Sequence, residues 1–146
     1  MKKNPEIAMA TPVLRLDKNA YQNFRLDRKN GLVGGTTVTF SQAGHALYFS
    51  KEIIPYLEIE KLPHDGLIPI FHHVGVYAYR PNVLKEYLGW EEGELEKTEG
   101  LEQLRFLENG KIVKCVEDNP KGQLFWELNN PEDVKRIEIA LKNKKF

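Results

Sequence analysis

Leu101-Glu102-Gln103-Leu104-Arg105 lies in the most strongly periodic part of the chain. Leucines recur around this stretch at the spacing of one helix face, and they are Leu95, Leu101, Leu104 and Leu107. Gly110 follows at the position where a glycine commonly ends a helix. The pattern therefore predicts a helix over residues 94–109.

Three polar residues lie on this helix, namely Glu99, Glu102 and Gln103, and the last two adjoin the apolar residues Leu101 and Leu104. On a continuous helix, Glu99 and Glu102 are neighbours three residues apart. Carboxylates and amides at such boundary positions are usually solvated or paired with a neighbour. They can also contact the hydroxyls of a sugar, which need both donors and acceptors.

The rest of the chain alternates between strand and helix patterns. Apolar and β-branched runs predict strands at residues 7–16, 36–40, 45–50, 68–80 and 111–117. Shorter helices are predicted at residues 83–88 and after Asn130, where Pro131 suits the first helical position. Residues 17–31 fit either an irregular segment or a short helix. This order predicts one domain over residues 1–146, with an α/β or α+β fold.

Composition limits the classes of function. The chain has 21 basic and 21 acidic residues, which argues against binding nucleic acid through bulk positive charge. No apolar run approaches the roughly 20 residues needed to cross a bilayer. Cys115 is the single cysteine, so no internal disulfide can form, which fits a reducing compartment. We therefore expect a cytoplasmic protein that binds neither nucleic acid nor a membrane.

Adjacent histidines, His72 and His73, fall within the strand predicted at residues 68–80. Neighbouring strand residues point to opposite faces, so we expect one imidazole in the core or a cleft and the other in solvent. His73 and Tyr77 are four residues apart and would share a face, where they could present polar groups to one pocket. The simpler interpretation is one hydrogen-bonded strand histidine and one surface histidine.

Four blocks of the sequence, in this order, resemble the C-terminal half of the CMP-Kdo synthetases, the 3-deoxy-manno-octulosonate cytidylyltransferases. They are GHALYFSK at residues 44–51, FHHVGVYAYR at 71–80, LEQLR at 101–105 and NNPEDV at 129–134. The resemblance extends from residue 8 to residue 140. It implies an α/β fold, the C-terminal part of a nucleotide-diphospho-sugar transferase-like fold, with a mixed sheet and flanking helices.

The resemblance also implies an activity and its partners. The similar enzymes couple CTP to Kdo, an acidic sugar of lipopolysaccharide, and release pyrophosphate in a reaction that needs Mg²⁺. They usually act as homodimers through the C-terminal half. For this chain the resemblance implies CTP and a Kdo-like acidic sugar as ligands, Mg²⁺ as cofactor and a homodimer.

Site residues follow from the same resemblance. Lys51 matches an arginine near the sugar, and it keeps the positive charge while losing the planar fork that suits a carboxylate. His73 and Tyr77 match a histidine and a tyrosine of the sugar pocket. Glu102 and Gln103 match positions that contact sugar hydroxyls.

Asn129 matches the family's magnesium-binding aspartate. Mg²⁺ prefers charged oxygen ligands, and asparagine offers one neutral carbonyl oxygen, so the affinity for the metal should fall. The family's CTP-gripping loop and its first magnesium aspartate precede the region that this chain matches. We therefore expect a partial or split enzyme without the N-terminal nucleotide-binding half, inactive alone unless an N-terminal partner chain completes it. The alternatives are a non-catalytic binding or dimerisation module derived from this family, and a small α/β domain unrelated to sugars.

Overall fold

The computed structural model describes residues 4–58, 67–119, 128 and 130–143. Its strands are β1 (Ile7–Asp17), β2 (Thr36–Phe40), β3 (Ala46–Ser50), β4 (Leu67–His73), β5 (Ala78–Tyr79) and β6 (Ile112–Asp118). Its helices are α1 (Lys18–Lys29), α2 (Pro81–Tyr87), α3 (Glu94–Glu99), α4 (Leu104–Glu108) and α5 (Pro131–Asn143). None of these helices combines the length and the apolar character needed to span a membrane.

Strand β1 is the centre of a mixed sheet. It pairs antiparallel with β4 and β5 on one edge and parallel with β6 on the other. Beyond β4, strands β2 and β3 continue the sheet in antiparallel pairs. The sheet curls until the turn before β3 meets β6, where the Cys115 N–H donates to the Gly44 carbonyl at 2.8 Å. The expected mixed sheet with flanking helices is confirmed.

Two apolar clusters explain why β1 carries apolar residues at nearly every position. One cluster contains Met9 and Val13 from β1, together with Leu104 and Phe106 from α4. The other contains Leu16 from β1 and packs against α1. A strand covered by helical or loop segments on both faces needs apolar residues on both, whereas a half-exposed strand alternates. Cys115 lies in the first cluster as a buried free thiol.

Residues 17–31, which left two interpretations open, form the 12-residue helix α1 and a short turn. Asp17 caps the helix, because its side chain accepts a hydrogen bond from the Ala20 N–H at 2.7 Å. Tyr21 and Phe24 are the buried anchors of its inner face. The predicted start of α5 is also confirmed, since the Asn130 N–H donates to the Asp133 side chain at 2.7 Å.

The prediction of one helix over residues 94–109 is wrong. The chain forms two short helices, α3 and α4, because Gly100 adopts a left-handed conformation with φ of 61° and ends α3. A residue with a side chain rarely takes this conformation, so the glycine permits the break. Glu99 and Glu102 are consequently not neighbours on one helix face.

Ion pairing and capping hold α3 against α4. Arg105 forms a bidentate ion pair with the buried carboxylate of Glu96. Its Nε donates to Oε2 at 2.5 Å and its Nη2 donates to Oε1 at 2.6 Å. The Glu108 carboxylate accepts hydrogen bonds from the N–H groups of Leu95 and Glu96, at 2.9 and 3.2 Å. These N–H groups belong to the first turn of α3 and have no partner within that helix. The arginine of the 101–105 stretch therefore stabilises the fold of the α3–α4 pair.

The prediction of one strand over residues 68–80 is also wrong. Strand β4 ends at His73, and pairing resumes only at Ala78. The buried Thr11 hydroxyl lies 3.0 Å from the Val74 carbonyl oxygen and 2.9 Å from that of Val76, so its single proton is shared between two carbonyls that lie outside the strands. This interruption directs residues 74–77 away from the regular pleat.

We expect Glu96→Ala to lower the free energy of unfolding by about 3 kcal/mol, because the Arg105 side chain, which is 14% exposed, then keeps only the more distant and exposed Glu92 carboxylate at 3.6 Å. Glu94→Ala is the matched control, since Glu94 is exposed on the same helix and should change stability by less than about 0.5 kcal/mol. Urea unfolding measures both. Equal losses in the two variants would contradict a structural role for the ion pair.

Candidate functional site

A cleft of about 260 Å³ opens where β3, the end of β4 and the α3–α4 turn meet. Four of the five residues predicted to bind a sugar line it, namely Lys51, His73, Tyr77 and Gln103. Gly34, Thr36 and Leu101 are among the other lining residues. A larger cleft of about 340 Å³ lies between α1 and residues 53–58, and it contains none of the predicted residues.

Lys51 follows β3 directly and is the only cation among the described residues that line the smaller cleft. Its N–H donates to the Glu99 carboxylate at 2.9 Å, and its carbonyl accepts from Arg28 Nε at 2.8 Å. Its ammonium lies close to Gly100, where an added Cβ would come within 2.9 Å of Nζ. The lysine therefore supplies one positive charge to a largely uncharged cleft.

His73 ends β4 and is buried, with its ring centroid 5.0 Å from that of Phe49 and 5.4 Å from that of Tyr77. Burial, followed by the neighbouring charge of His72, lowers the pKa of His73 to about 4. The imidazole is therefore neutral near pH 7 and offers one donor and one acceptor nitrogen. Its Nε2 atom is buried, and no residue in the described part of the chain forms a hydrogen bond with it.

His72 lies on the opposite face of β4 and is also buried, so the expectation that one of the two histidines faces solvent is wrong. Its ring contacts Phe24 of α1 edge to face, with centroids 5.1 Å apart. Burial, and then the charge of Arg28, lowers the pKa of His72 to about 4. The reason is tertiary, because α1 covers the face that a half-exposed strand would leave to solvent.

Tyr77 reaches the cleft by a different route from the one expected. The prediction placed it on the same strand face as His73, but β4 ends at His73. The interruption of the strand instead carries Tyr77 back beside the imidazole. Tyr77 also contacts Tyr79, whose ring leads to Phe106 in the core, with centroid distances of 5.7 and 5.6 Å. A series of aromatic ring contacts therefore connects the cleft to the core.

Glu102 and Gln103, which are adjacent in the 101–105 stretch, lie in different environments. Gln103 is buried and lines the cleft, whereas Glu102 is exposed and is not among the lining residues. The turn that follows Gly100 causes this separation, since it rotates Gln103 inward ahead of α4. The Glu102 charge still raises the pKa of Tyr79, after the larger effect of that tyrosine's burial.

Sequence reasoning missed the role of Glu99 and did not single out Arg28. The Glu99 carboxylate accepts hydrogen bonds from Tyr48 Oη at 3.2 Å, Ser50 Oγ at 2.7 Å and the Lys51 N–H at 2.9 Å. Arg28 joins the other side of Lys51 from α1. No spacing rule relates these residues, which are brought together by the curled sheet and the break at Gly100.

The described residues of the cleft do not fit a Mg²⁺ site. The hard carboxylate ligands that Mg²⁺ prefers are missing from the described lining residues, and Lys51 adds a repelling charge. Residues 4–58, 67–119 and 130–143 contain no group of three or more histidine, cysteine, aspartate or glutamate side chains that could hold a metal. The predicted metal contact, Asn129, lies outside the described residues.

Comparison with known proteins places this arrangement in a family. A family model described as cytidylyltransferase matches residues 14–117. The chain belongs to the cytidylyltransferase family. The match includes β2 to β6 and therefore every described residue of the cleft.

Several relatives of this chain are 3-deoxy-manno-octulosonate cytidylyltransferases. The protein from Maricaulis maris is 38% identical over 138 residues, which cover 94% of this chain and 52% of the relative. The protein from Rickettsia typhi is 35% identical over 136 residues, covering 92% of this chain and 47% of the relative. The chain thus spans about half the length of the curated relatives it matches.

A solved structure supports the fold. CMP:2-keto-3-deoxy-manno-octonic acid synthetase, determined in complex with CTP, superimposes with a TM-score of 0.70 and 24% identity. The superposition covers 97% of this chain and 52% of that protein. At this identity the likeness establishes the mixed α/β architecture of the chain.

We expect acid to destabilise the fold through its buried histidines. An unfolded histidine binds a proton below its ordinary pKa of 6.5, whereas folded His72 and His73 bind one only below about 4. Between these values the unfolded state binds more protons, so stability falls as the pH falls. Each histidine should lower the free energy of unfolding by roughly 2 to 3 kcal/mol when the pH falls from 7 to 4.5.

Denaturant unfolding of the wild type and of His72→Gln at both pH values measures this effect. The acid-induced loss should shrink by roughly one histidine's contribution in His72→Gln, while His45→Gln serves as the matched control. An unchanged acid-induced loss in His72→Gln would contradict the assignment.

Proposed function

We propose that this chain is the C-terminal, sugar-binding part of a CMP-Kdo synthetase. In the complete enzyme, a nucleotide-binding part would hold CTP, and the product would be CMP-3-deoxy-manno-octulosonate. The observation that carries the proposal is the convergence of Lys51, His73, Tyr77 and Gln103 on one cleft. These residues come from three separate blocks of sequence, each of which resembles the family.

The cleft has the chemistry that an acidic sugar requires. Its single described cation, Lys51, can pair with the sugar carboxylate as a compact point charge. Neutral His73 and the amide of Gln103 can each donate and accept hydrogen bonds with hydroxyls. The Tyr77 ring provides an apolar wall with a polar tip. One charge among neutral polar groups suits a ligand with one carboxylate and several hydroxyls.

The proposal divides the work of catalysis between two parts. The described residues bind and orient the sugar, so that its anomeric hydroxyl can be directed at the α-phosphorus of CTP with release of pyrophosphate. The groups that bind the triphosphate and Mg²⁺ are assigned to the nucleotide-binding part and to Asn129 as a weakened metal contact. Glu102, exposed beside the cleft, is assigned to the sugar's outer hydroxyls. The complete enzyme is proposed to act in lipopolysaccharide biosynthesis as a homodimer.

We expect the isolated chain to bind 3-deoxy-manno-octulosonate and Lys51→Met to weaken that binding about tenfold, because the carboxylate loses its charged partner. Titration calorimetry or chemical-shift titration by NMR gives the dissociation constants. Lys97→Met is the matched control, since Lys97 is exposed on α3 and does not line the cleft. Equal affinity in the wild type and Lys51→Met would contradict the assignment of Lys51.

We expect the isolated chain to release no pyrophosphate from CTP and 3-deoxy-manno-octulosonate at saturating Mg²⁺. Adding a nucleotide-binding half, expressed separately or fused before residue 1, should produce turnover because it supplies the triphosphate-binding groups. A coupled pyrophosphate assay measures both reactions. Turnover by the isolated chain would contradict the proposed division of work.

The same measurements separate the alternative, a non-catalytic binding or dimerisation module. Sugar binding and self-association without turnover in the completed complex would favour the module over the enzyme. A monomer at high concentration, measured by analytical ultracentrifugation, would argue against the dimerisation role.

A further inference from the structure

The main chain at Lys51 is held from both sides by charged side chains of different helices. On its N-terminal side, the N–H donates to Glu99 Oε2 of α3 at 2.9 Å. On its C-terminal side, the carbonyl accepts from Arg28 Nε of α1 at 2.8 Å. Hydrogen bonds to charged groups are stronger than those between neutral groups. Lys51, the residue that follows β3, therefore has a charged hydrogen-bond partner at both of its main-chain polar groups.

The Glu99 carboxylate forms hydrogen bonds with the end of β3 and with Lys51. It accepts hydrogen bonds from two β3 side chains, Tyr48 and Ser50, as well as from the Lys51 N–H. Ser50 is buried, and its hydroxyl also accepts a hydrogen bond from the Glu52 N–H at 3.0 Å. Glu99 therefore joins the end of α3 to the last residues of β3 and to Lys51.

Arg28 joins Lys51 to the opposite rim of the cleft. Its Nη2 atom donates to the Gly35 carbonyl while Nε donates to that of Lys51. Its guanidinium lies over the Phe24 ring, 5.1 Å from the centroid. The planar fork of arginine can serve two carbonyls at once, which the single ammonium of lysine does with less directional control.

Gly100 lies beside the Lys51 side chain. Its left-handed backbone ends α3 directly after Glu99. A Cβ at this position would lie 2.9 Å from Lys51 Nζ. The absent side chain leaves room for the ammonium beside the peptide that connects α3 to the 101–105 stretch.

We propose that Glu99 and Arg28 are positioning residues, which clamp the Lys51 main chain so that its ammonium points into the cleft. The proposal rests on the proposed function, in which the Lys51 ammonium binds the carboxylate of an acidic sugar. It adds that the affinity for this carboxylate depends on two residues that do not line the cleft.

A double-mutant cycle tests whether the two residues act through Lys51. Glu99→Gln and Arg28→Lys are each made in the wild type and in Lys51→Met, and binding of 3-deoxy-manno-octulosonate is titrated. We expect each to weaken binding about tenfold in the wild type and to have no further effect in Lys51→Met. Equal losses in both backgrounds would show a general structural role and overturn the proposal. Glu94→Gln and Arg25→Lys, exposed residues on the same helices, are the matched controls and should leave binding unchanged.

A measurement without the sugar keeps the two proposals distinguishable. In NMR spectra of the wild-type chain, we expect a nuclear Overhauser effect between the Lys51 side-chain Hε and Gly100 Hα, and slow exchange of the Lys51 amide. Glu99→Gln should remove this Overhauser effect. It should also accelerate exchange of the Lys51 amide about tenfold relative to the core amide of Val113. If the wild type binds no sugar, the proposed function fails while this result still decides the clamp. An unchanged contact and an unchanged exchange rate in Glu99→Gln would overturn the clamp.

Discussion

The left-handed turn at Gly100 is the constraint on which the cleft depends. Because the helix ends there, Glu99 faces β3, Gln103 turns inward, and Arg105 folds back onto Glu96. A continuous helix would distribute these side chains around its axis at about 100° per residue and could not place all three in this way. The Glu96–Arg105 ion pair and the capping of α3 by Glu108 then hold α3 and α4 together.

The curled sheet supplies the other half of the cleft. Strand β1 pairs with both parts of the interrupted β4–β5 run, and its Thr11 hydroxyl holds the carbonyls that leave the sheet between them. The interruption brings Tyr77 beside His73, while burial keeps that imidazole neutral. The described part of the cleft therefore combines one cation, Lys51, with neutral polar groups, and the proposed binding of an acidic sugar depends on this combination.

The sequence predicted the architecture more fully than the details of the site. Four of the five predicted strands, the start of α5 and the family follow from local pattern or from resemblance, and the structure and the comparisons confirm them. Of the five residues predicted for the sugar, Lys51, His73, Tyr77 and Gln103 lie together. Glu102 lies outside, because the periodicity that predicted one helix took no account of the freedom of Gly100. The burial of both histidines was not predicted, because it requires Phe24 of α1 to pack on His72 while Phe49 and Tyr77 pack on His73 at the other face of β4.

The amino-acid sequence alone therefore determined most of the strands, the start of α5 and the family, since strand pattern, capping chemistry and contiguous motifs are local properties of the chain. Tertiary structure decided which polar groups meet. Glu99 and Arg28 approach Lys51 across separations of 48 and 23 residues, and no local rule relates them. Their meeting follows from the curl of the sheet, the covering of both its faces and the break at Gly100, all of which depend on packing between distant parts of the chain.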